Sequence, residues 1–153
     1  MEAVTIREFQ DYLAPHFLSI NKEWIEKFFS IEAFDREQLE KPRQNIVDKG
    51  GQVWFAEYGG QIVGTAAIRK VEEGVYELIK MGVIPQAQGR SIGQLLAKSA
   101  IQWAKGQGAK RVVLYSNTRL SPAIRLYHRL GFVEVPIESG KYQRCDIKME
   151  IVF

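Results

Sequence analysis

Residues 83–104 predict a strand, a tight turn and a helix in immediate succession. An apolar run precedes Pro85, and after Ile92 the apolar residues recur at helical spacing. Pro85 cannot extend a strand ladder because it has no N–H, and Gly89 and Gly93 allow the backbone between them to turn sharply. We therefore expect the main-chain N–H groups of this turn to point outward at the N-terminus of a helix.

Such N–H groups form an anion site, since the positive end of the helix dipole lies behind them. Arg90 adds a positive charge to the turn. The sequence contains neither G-x-x-x-x-G-K-[ST] nor a G-x-G-x-x-G after a strand, so two familiar phosphate loops are excluded. The turn predicts a pyrophosphate site of another kind. The simpler alternative is that Gly89 and Gly93 only connect a strand to a helix.

Charge is divided unevenly along the chain. The net charge is only +3, yet residues 86–130 contain eight Lys or Arg and no Asp or Glu, so all eighteen acids lie elsewhere. A basic half around an expected anion loop indicates a polyanionic partner. Residues 22–40 are the acidic part, with six acids and three bases.

Length and composition are typical of a soluble globular protein. The 153 residues fit one domain, residues 1–153, with 46% hydrophobic and 25% charged residues. No apolar run reaches the length of a membrane span and the N-terminus does not resemble a signal peptide, so we expect a cytoplasmic protein without a membrane partner. We expect no metal site, because Cys145, His16 and His128 are widely spaced in the sequence.

The remaining patterns predict an α/β protein of the α+β type, with a mixed, mainly antiparallel sheet of about six to seven strands and helices on both faces. The expected strands cover residues 4–7, 53–58, 62–70, 75–84, 111–116, 132–136 and 142–153. The expected helices cover residues 22–30, 36–39, 42–49, 92–105 and 122–130, with N-caps at Asn21 and Ser121. Because a helix separates them, strands 75–84 and 111–116 should run parallel.

Two segments resemble the GNAT superfamily of acetyl-CoA-dependent N-acetyltransferases. The acyl-CoA loop of that family has the form [RQ]-x-x-G-x-[GA], and it is matched by Gln88, Gly89, Arg90, Ser91, Ile92 and Gly93. Ser91 departs from the pattern, because it replaces the middle glycine and would be strained if the position requires a positive φ. The second segment, A-x-x-L-Y-x-x-x-G-F, is matched by Ala123, Leu126, Tyr127, Gly131 and Phe132.

The resemblance implies roles for particular residues. Residues 88–93 would bind the pyrophosphate of acetyl-CoA, and the main chain of Met81, Gly82 and Val83 would bond its pantetheine arm as an added strand does. Tyr127 resembles the general acid that protonates the leaving thiolate; the alternative is a core tyrosine. Asn117 could bond the pantetheine or a water, or it could simply be a turn residue.

The general base is left open between Glu77, Glu32 and water. Alternation places Glu77 on a largely apolar face of its strand with Met81 and Val83, where loss of water raises a carboxyl pKa. An ion pair with Lys80 or Arg69 is the alternative, and a bulge in the strand would reverse the alternation.

We therefore expect an enzyme that moves an acetyl group from acetyl-CoA to a primary amine by direct attack. The alternative is a non-catalytic acyl-CoA-binding or regulatory module. A nucleic-acid partner is not expected, because no recognition-helix motif is present. The acidity of residues 22–40 suits a cationic amine, although an exposed surface would carry the same charges. The edge left by the final strands could pair with a second copy to form a homodimer.

Overall fold

The computed structural model describes residues 3–138 and 144–153, so residues 142 and 143 of the last predicted strand lie outside it. The strands are β1 (Thr5–Glu8), β2 (Gln52–Tyr58), β3 (Gln61–Glu72), β4 (Val75–Val83), β5 (Arg111–Ser116), β6 (Val133–Val135) and β7 (Ile147–Val152). The helices are α1 (Ala14–Phe28), α2 (Ala33–Glu40), α3 (Ile92–Gly106) and α4 (Ser121–Arg129). Short helical turns cover Asp11–Leu13, Arg43–Val47 and Pro85–Ala87.

The strands form one sheet in the order β1-β2-β3-β4-β5-β7-β6. Strands β4 and β5 are parallel, and the other five neighbouring pairs are antiparallel. This confirms the predicted mixed, mainly antiparallel sheet. The parallel pairing joins only Val75–Glu77 to Arg111–Val113. The two strands therefore separate toward their carboxyl ends, and this separation provides room for a site in the middle of the sheet.

A β-bulge interrupts β4 just before this separation. Lys80 has a φ of 52°, and the register advances from Ile79 to Gly82 on β4 while the partner strand advances only from Ala67 to Thr65. Three steps against two reverse the alternation of side chains. The prediction that Glu77 shares a face with Met81 and Val83 is therefore wrong.

Helices cover both faces of the sheet, as predicted. On one face, α3 and α4 pack over a core that includes Ile68, Leu96 and Phe132. On the other face, α1 and α2 pack over a core that includes Phe17, Leu39 and Phe55. Among the described residues, none of the helices has the length and apolar character needed to cross a membrane.

Both predicted N-caps are wrong. Asn21 is buried in the middle of α1, where its Nδ2 donates to the carbonyl oxygen of Phe17 (2.9 Å) and its Oδ1 accepts from Nε1 of Trp24 (2.9 Å). The helix begins earlier because Pro15 fits its first turn. Ser121 is itself the first residue of α4, after a cap at Leu120. Both bonds of Asn21 stay within α1, because a short polar side chain inside a helix can donate to the carbonyl oxygen four residues earlier.

Candidate functional site

A cavity of about 780 Å³ opens where β4 and β5 separate. Its walls come from β4, the turn after it, the start of α3, the end of β5, α4 and the end of α1. Eleven of the twelve residues predicted for the site line it, namely Glu77, Met81, Gly82, Val83, Gln88, Gly89, Ser91, Ile92, Gly93, Asn117 and Tyr127. Arg90 does not line the cavity, and its guanidinium carbon lies 4.9 Å from the ring centroid of Tyr58.

The turn before α3 has the left-handed backbone that the glycine pattern predicts. Gly89 has a φ of 85° and Ser91, the N-cap of α3, has a φ of 61° and a ψ of 22°. Gln88 anchors the turn, because its Nε2 donates to the carbonyl oxygen of Val83 at 3.0 Å. Ser91 therefore has the positive φ at which a serine is strained. The first residues of the fifteen-residue helix α3, Ile92 and Gly93, line the cavity, so the helix N-terminus faces it.

The edge of β4 beyond Glu77 faces the cavity with its main chain. Gly82 and Val83 pair with β3 on one side, Met81 lies within the bulge, and all three residues lie beyond the stretch that pairs with β5. Apart from the carbonyl oxygen of Val83, which accepts from Gln88, their main-chain groups on the β5 side are therefore available to an extended ligand, as in strand addition. Trp24 of α1 packs against Gly82 here, and no side chain larger than hydrogen would fit between them.

Tyr127 lies on α4 with its side chain in the cavity wall. The residue is 9% exposed, and its ring meets that of Phe132 edge to face at a centroid distance of 5.9 Å. Burial raises the pKa of Tyr127 to about 12. Within residues 3–138 and 144–153 its hydroxyl has no hydrogen-bond partner, so it remains available to a ligand.

Asn117 is used within its own loop. Its Nδ2 donates to the carbonyl oxygen of Arg144 at 2.7 Å, and its Oδ1 accepts from the main-chain N–H of Arg119 at 2.9 Å. These bonds tie the end of β5 to the segment before β7. They match the alternative in which Asn117 is a turn residue, although its side chain also borders the cavity.

Glu77 is 1% exposed and reaches the cavity from β4. Its Oε1 accepts from Nε of Arg69 at 2.9 Å, directly across the β3–β4 pair. The ion pair with Arg69 was the alternative considered for this residue. Glu32 does not line the cavity, and its Oε2 accepts from Nη1 of Arg144 at 2.9 Å.

Part of the cavity wall belongs to a buried charge cluster that no sequence pattern predicted. Asp35 of α2 lies 2.5 Å from Nζ of Lys80 and accepts two bonds from Arg144, at 2.6 and 2.7 Å. Burial by itself would raise the pKa of Asp35, but the bonds and charges of Arg144 and Lys80 outweigh it and hold that pKa at about 2. The three residues are far apart in the chain, so no local pattern signals the cluster.

Three aromatic side chains of the predicted helix 22–30 form one wall of the cavity. Trp24, Phe28 and Phe29, at the end of α1, all line the cavity, and Phe28 is 38% exposed. Their helical spacing was visible in the sequence, but the separation of β4 and β5 decides that they face a cavity.

The sequence profile described as the acetyltransferase (GNAT) family matches residues 17–132 of this chain. The uncharacterized N-acetyltransferase YjgM of Escherichia coli K12 is 32% identical over 116 residues, which cover 72% of this chain and 70% of that protein. N-acetyltransferase 8 of mouse is 35% identical over 89 residues, which cover 55% of this chain and 39% of that protein. The chain thus spans about two fifths of the length of that mammalian relative.

Solved structures share the fold. A GNAT-family acetyltransferase from Staphylococcus aureus Mu50 superposes with a TM-score of 0.86 at 22% identity, covering 97% of this chain and 98% of that one. The PaiA N-acetyltransferase from Thermoplasma acidophilum, a complex with coenzyme A, has a TM-score of 0.79 at 18% identity, covering 99% of each chain. By the sequence match and the shared sheet and helix order, this chain belongs to the GNAT family of acetyltransferases.

Proposed function

We propose that this protein is an acetyl-CoA-dependent N-acetyltransferase that binds acetyl-CoA in the cavity between β4 and β5 and acetylates a primary amine by direct attack. One observation carries the proposal: the loop of residues 88–93 and the side chain of Tyr127 line the same cavity, at the point where the sheet opens. Membership of the GNAT family and the coenzyme A held by the PaiA structure support it.

The cofactor would lie across the end of β4. The pantetheine arm would form hydrogen bonds with the main chain of Met81, Gly82 and Val83. The diphosphate would accept hydrogen bonds from the main-chain N–H groups of residues 88–93, at the N-terminus of α3. Gln88 orients the loop through its bond to Val83. Arg90 lies outside the cavity wall and would act through its charge alone.

Acetyl transfer requires three proton movements. The acceptor ammonium first loses a proton, which we assign to Glu77, directly or through water, with Arg69 holding the carboxylate in place. The neutral nitrogen then attacks the thioester carbonyl and a C–N bond forms. The attacking nitrogen loses its second proton to solvent as the C–S bond breaks, which leaves a neutral amide. The departing sulfur receives the hydroxyl proton of Tyr127, which is replaced from solvent.

The raised pKa of Tyr127 keeps the phenol protonated at neutral pH, so its proton is present when the thiolate leaves. Burial also raises the pKa of Cys145, a thiol in the same cavity wall, to about 11. The same value keeps Cys145 in its unreactive thiol form at neutral pH and supports direct transfer rather than an acyl-enzyme.

The test combines acetyl-CoA calorimetry with thiol release against a panel of amines. We expect Tyr127→Phe to lower kcat by about 10²- to 10⁴-fold while its affinity for acetyl-CoA stays within about twofold of the unmodified protein. Tyr12→Phe, at a tyrosine that is 69% exposed and outside the cavity, is the control and should change neither.

Unchanged turnover of Tyr127→Phe across the pH range would contradict the acid role. Tight acetyl-CoA binding without thiol release for every amine would instead support the alternative, a non-catalytic acyl-CoA-binding module. No heat with acetyl-CoA would contradict both functions.

A further inference from the structure

Arg119 lies between β5 and α4, and its guanidinium carbon is 5.1 Å from the ring centroid of Phe29, just after α1. Both side chains line the cavity. This contact joins two loops that approach from either side of the opening, and it holds a cation over an aromatic face. Such stacking fixes the plane of a guanidinium while leaving its N–H groups free to donate.

The contact involves the opposite face of the sheet from the loop of residues 88–93. The loop of residues 88–93 leads into α3, which packs on one face of the sheet. Phe29 and Trp24 belong to the α1 side, which packs on the other face. The cavity therefore passes through the opening between β4 and β5, and Arg119 stands on the α1 side, away from the proposed diphosphate site.

The acidic groups on this side are already compensated. Asp35 pairs with Lys80 and Arg144, Glu32 also pairs with Arg144, and Glu77 pairs with Arg69. The acidity of residues 22–40 therefore does not present an uncompensated anion at this part of the cavity. A cationic group on the acceptor would find no unpaired carboxylate among these three acids.

Arg119 differs from the other three cations in this region. Among the residues that the structure describes, its guanidinium has no carboxylate partner, and its hydrogen bond to Asn117 uses the main-chain N–H. Within residues 3–138 and 144–153, the charged residues that line the cavity are four cations, Lys80, Arg119, Arg129 and Arg144, and one acid, Glu77. Asp35 and Glu32 compensate Lys80 and Arg144 from outside the wall, which leaves the charge of Arg119 unbalanced. An anion of the ligand would complete this arrangement.

We propose that Arg119 binds a carboxylate on the acceptor, so that the substrate class is amines that also carry a carboxylate, such as α-amino acids with an apolar side chain. The planar fork of an arginine suits a carboxylate. The half-exposed ring of Phe28 and the indole of Trp24 line the same side and would contact the apolar part of the acceptor. This inference rests on the proposed acetyltransferase function.

The test compares acceptors that differ only in the carboxylate. L-phenylalanine and L-phenylalanine amide are matched in size, phenethylamine lacks the group altogether, and thiol release from acetyl-CoA is measured for each. We expect kcat/KM for the amino acid to exceed that for the amide and the amine by at least tenfold.

Arg119→Gln should abolish this preference by raising the KM for phenylalanine, and Arg119→Lys should retain part of it. Arg36→Gln, an exposed arginine on α2 outside the cavity, is the matched control and should retain the preference in full.

A binding measurement keeps this inference separate from the proposed function. Calorimetry of the coenzyme A-loaded protein with N-acetyl-L-phenylalanine and with its amide needs no turnover. We expect the acid to bind at least tenfold more tightly, and Arg119→Gln to remove the difference.

If acetyl-CoA binds and amines are acetylated but the amides and amines are equal or better acceptors, the carboxylate proposal is wrong while the acetyltransferase proposal stands. If carboxylate binding depends on Arg119 but no amine is acetylated, the acetyltransferase proposal fails alone. Binding of neither ligand would overturn the assignment of Arg119.

Discussion

The indole of Trp24 lies so close to Gly82 that a Cβ atom at residue 82 would be 2.5 Å from Cδ1 of the ring. The ring is held in place because its Nε1 donates to Oδ1 of Asn21 at 2.9 Å. Helix α1 and strand β4 thus approach each other at the strand segment to which we assign the pantetheine arm. The absence of a side chain at residue 82 makes this approach possible.

Gly82→Ala tests this contact. A real Cβ atom cannot sit 2.5 Å from another carbon, so Trp24 or β4 must move. We expect a loss of about 1–3 kcal/mol in the free energy of unfolding and about tenfold weaker acetyl-CoA binding, which corresponds to about 1.4 kcal/mol. Thermal unfolding and calorimetry measure the two effects. Gly106→Ala is the control, because a Cβ there would meet nothing within 4 Å. Equal stability and affinity in the two variants would contradict the prediction.

Ser91→Gly should stabilise the protein. Ser91 has a φ of 61°, a left-handed conformation that glycine adopts without strain. We expect the free energy of unfolding to rise by about 0.5–1 kcal/mol, the balance of relieved strain and added chain entropy. Ser99→Gly in the interior of α3 is the control with the opposite sign, at a loss of about 0.5 kcal/mol. Chemical denaturation measures both, and the same sign for the two would show that Ser91 is not strained.

The Asp35 cluster should make stability depend on pH in the acid range. The pKa of Asp35 is held at about 2 in the folded protein, below its ordinary value of 3.8. The folded state therefore binds fewer protons, and the cluster contributes stability that is present above pH 3.8 and is lost as pH falls toward 2. A shift of this size corresponds to about 2 kcal/mol, which denaturation at a series of pH values would detect.

Removing the charge of Asp35 should cost more than protonating it in acid. Asp35→Asn leaves Lys80 and Arg144 buried with less compensation, and we expect about 3–5 kcal/mol of destabilisation at neutral pH. Asp11→Asn breaks an ion pair with Arg43 in which both side chains are at least 60% exposed, and it should cost less than about 1 kcal/mol. If Asp35→Asn does not fold, the pH series on the unmodified protein still tests whether the charge of Asp35 stabilises the fold. A free energy of unfolding that stays constant from pH 4 to pH 2 would show that it does not.

Glu77→Gln tests the proposed proton acceptor. The variant keeps the shape of the side chain but cannot take up a proton, so we expect kcat/KM to fall by about 10²- to 10⁴-fold with unchanged acetyl-CoA affinity. Glu57→Gln is a matched control, because Glu57 pairs with Arg7 on β1 at the same 2.9 Å that separates Glu77 from Arg69. If Glu77→Gln lowers the melting temperature but leaves turnover unchanged, the pair with Arg69 is only structural.

Much of the fold could be predicted from the sequence because its signals are local. Apolar runs predicted strands at residues 53–58 and 62–70, where β2 and β3 lie, and helical spacing after Ile92 predicted α3 to within one residue of its observed end at Gly106. The loop of residues 88–93 and Tyr127 were found for the same reason, since each belongs to a short motif. The predicted N-caps at Asn21 and Ser121 are wrong because both helices begin earlier, and the side chain of Asn21 bonds within α1 instead.

The sequence by itself determined the order of strands and helices along the chain, the turn between β4 and α3, and the GNAT resemblance, because these depend on neighbours in the chain. Only the tertiary structure decided which charges meet. The bulge at Lys80 reverses the alternation of β4, and the pairing of Asp35 with Lys80 and Arg144 joins three distant segments. Such contacts depend on how the sheet twists and opens, and burial then sets their strength by removing water from the charges.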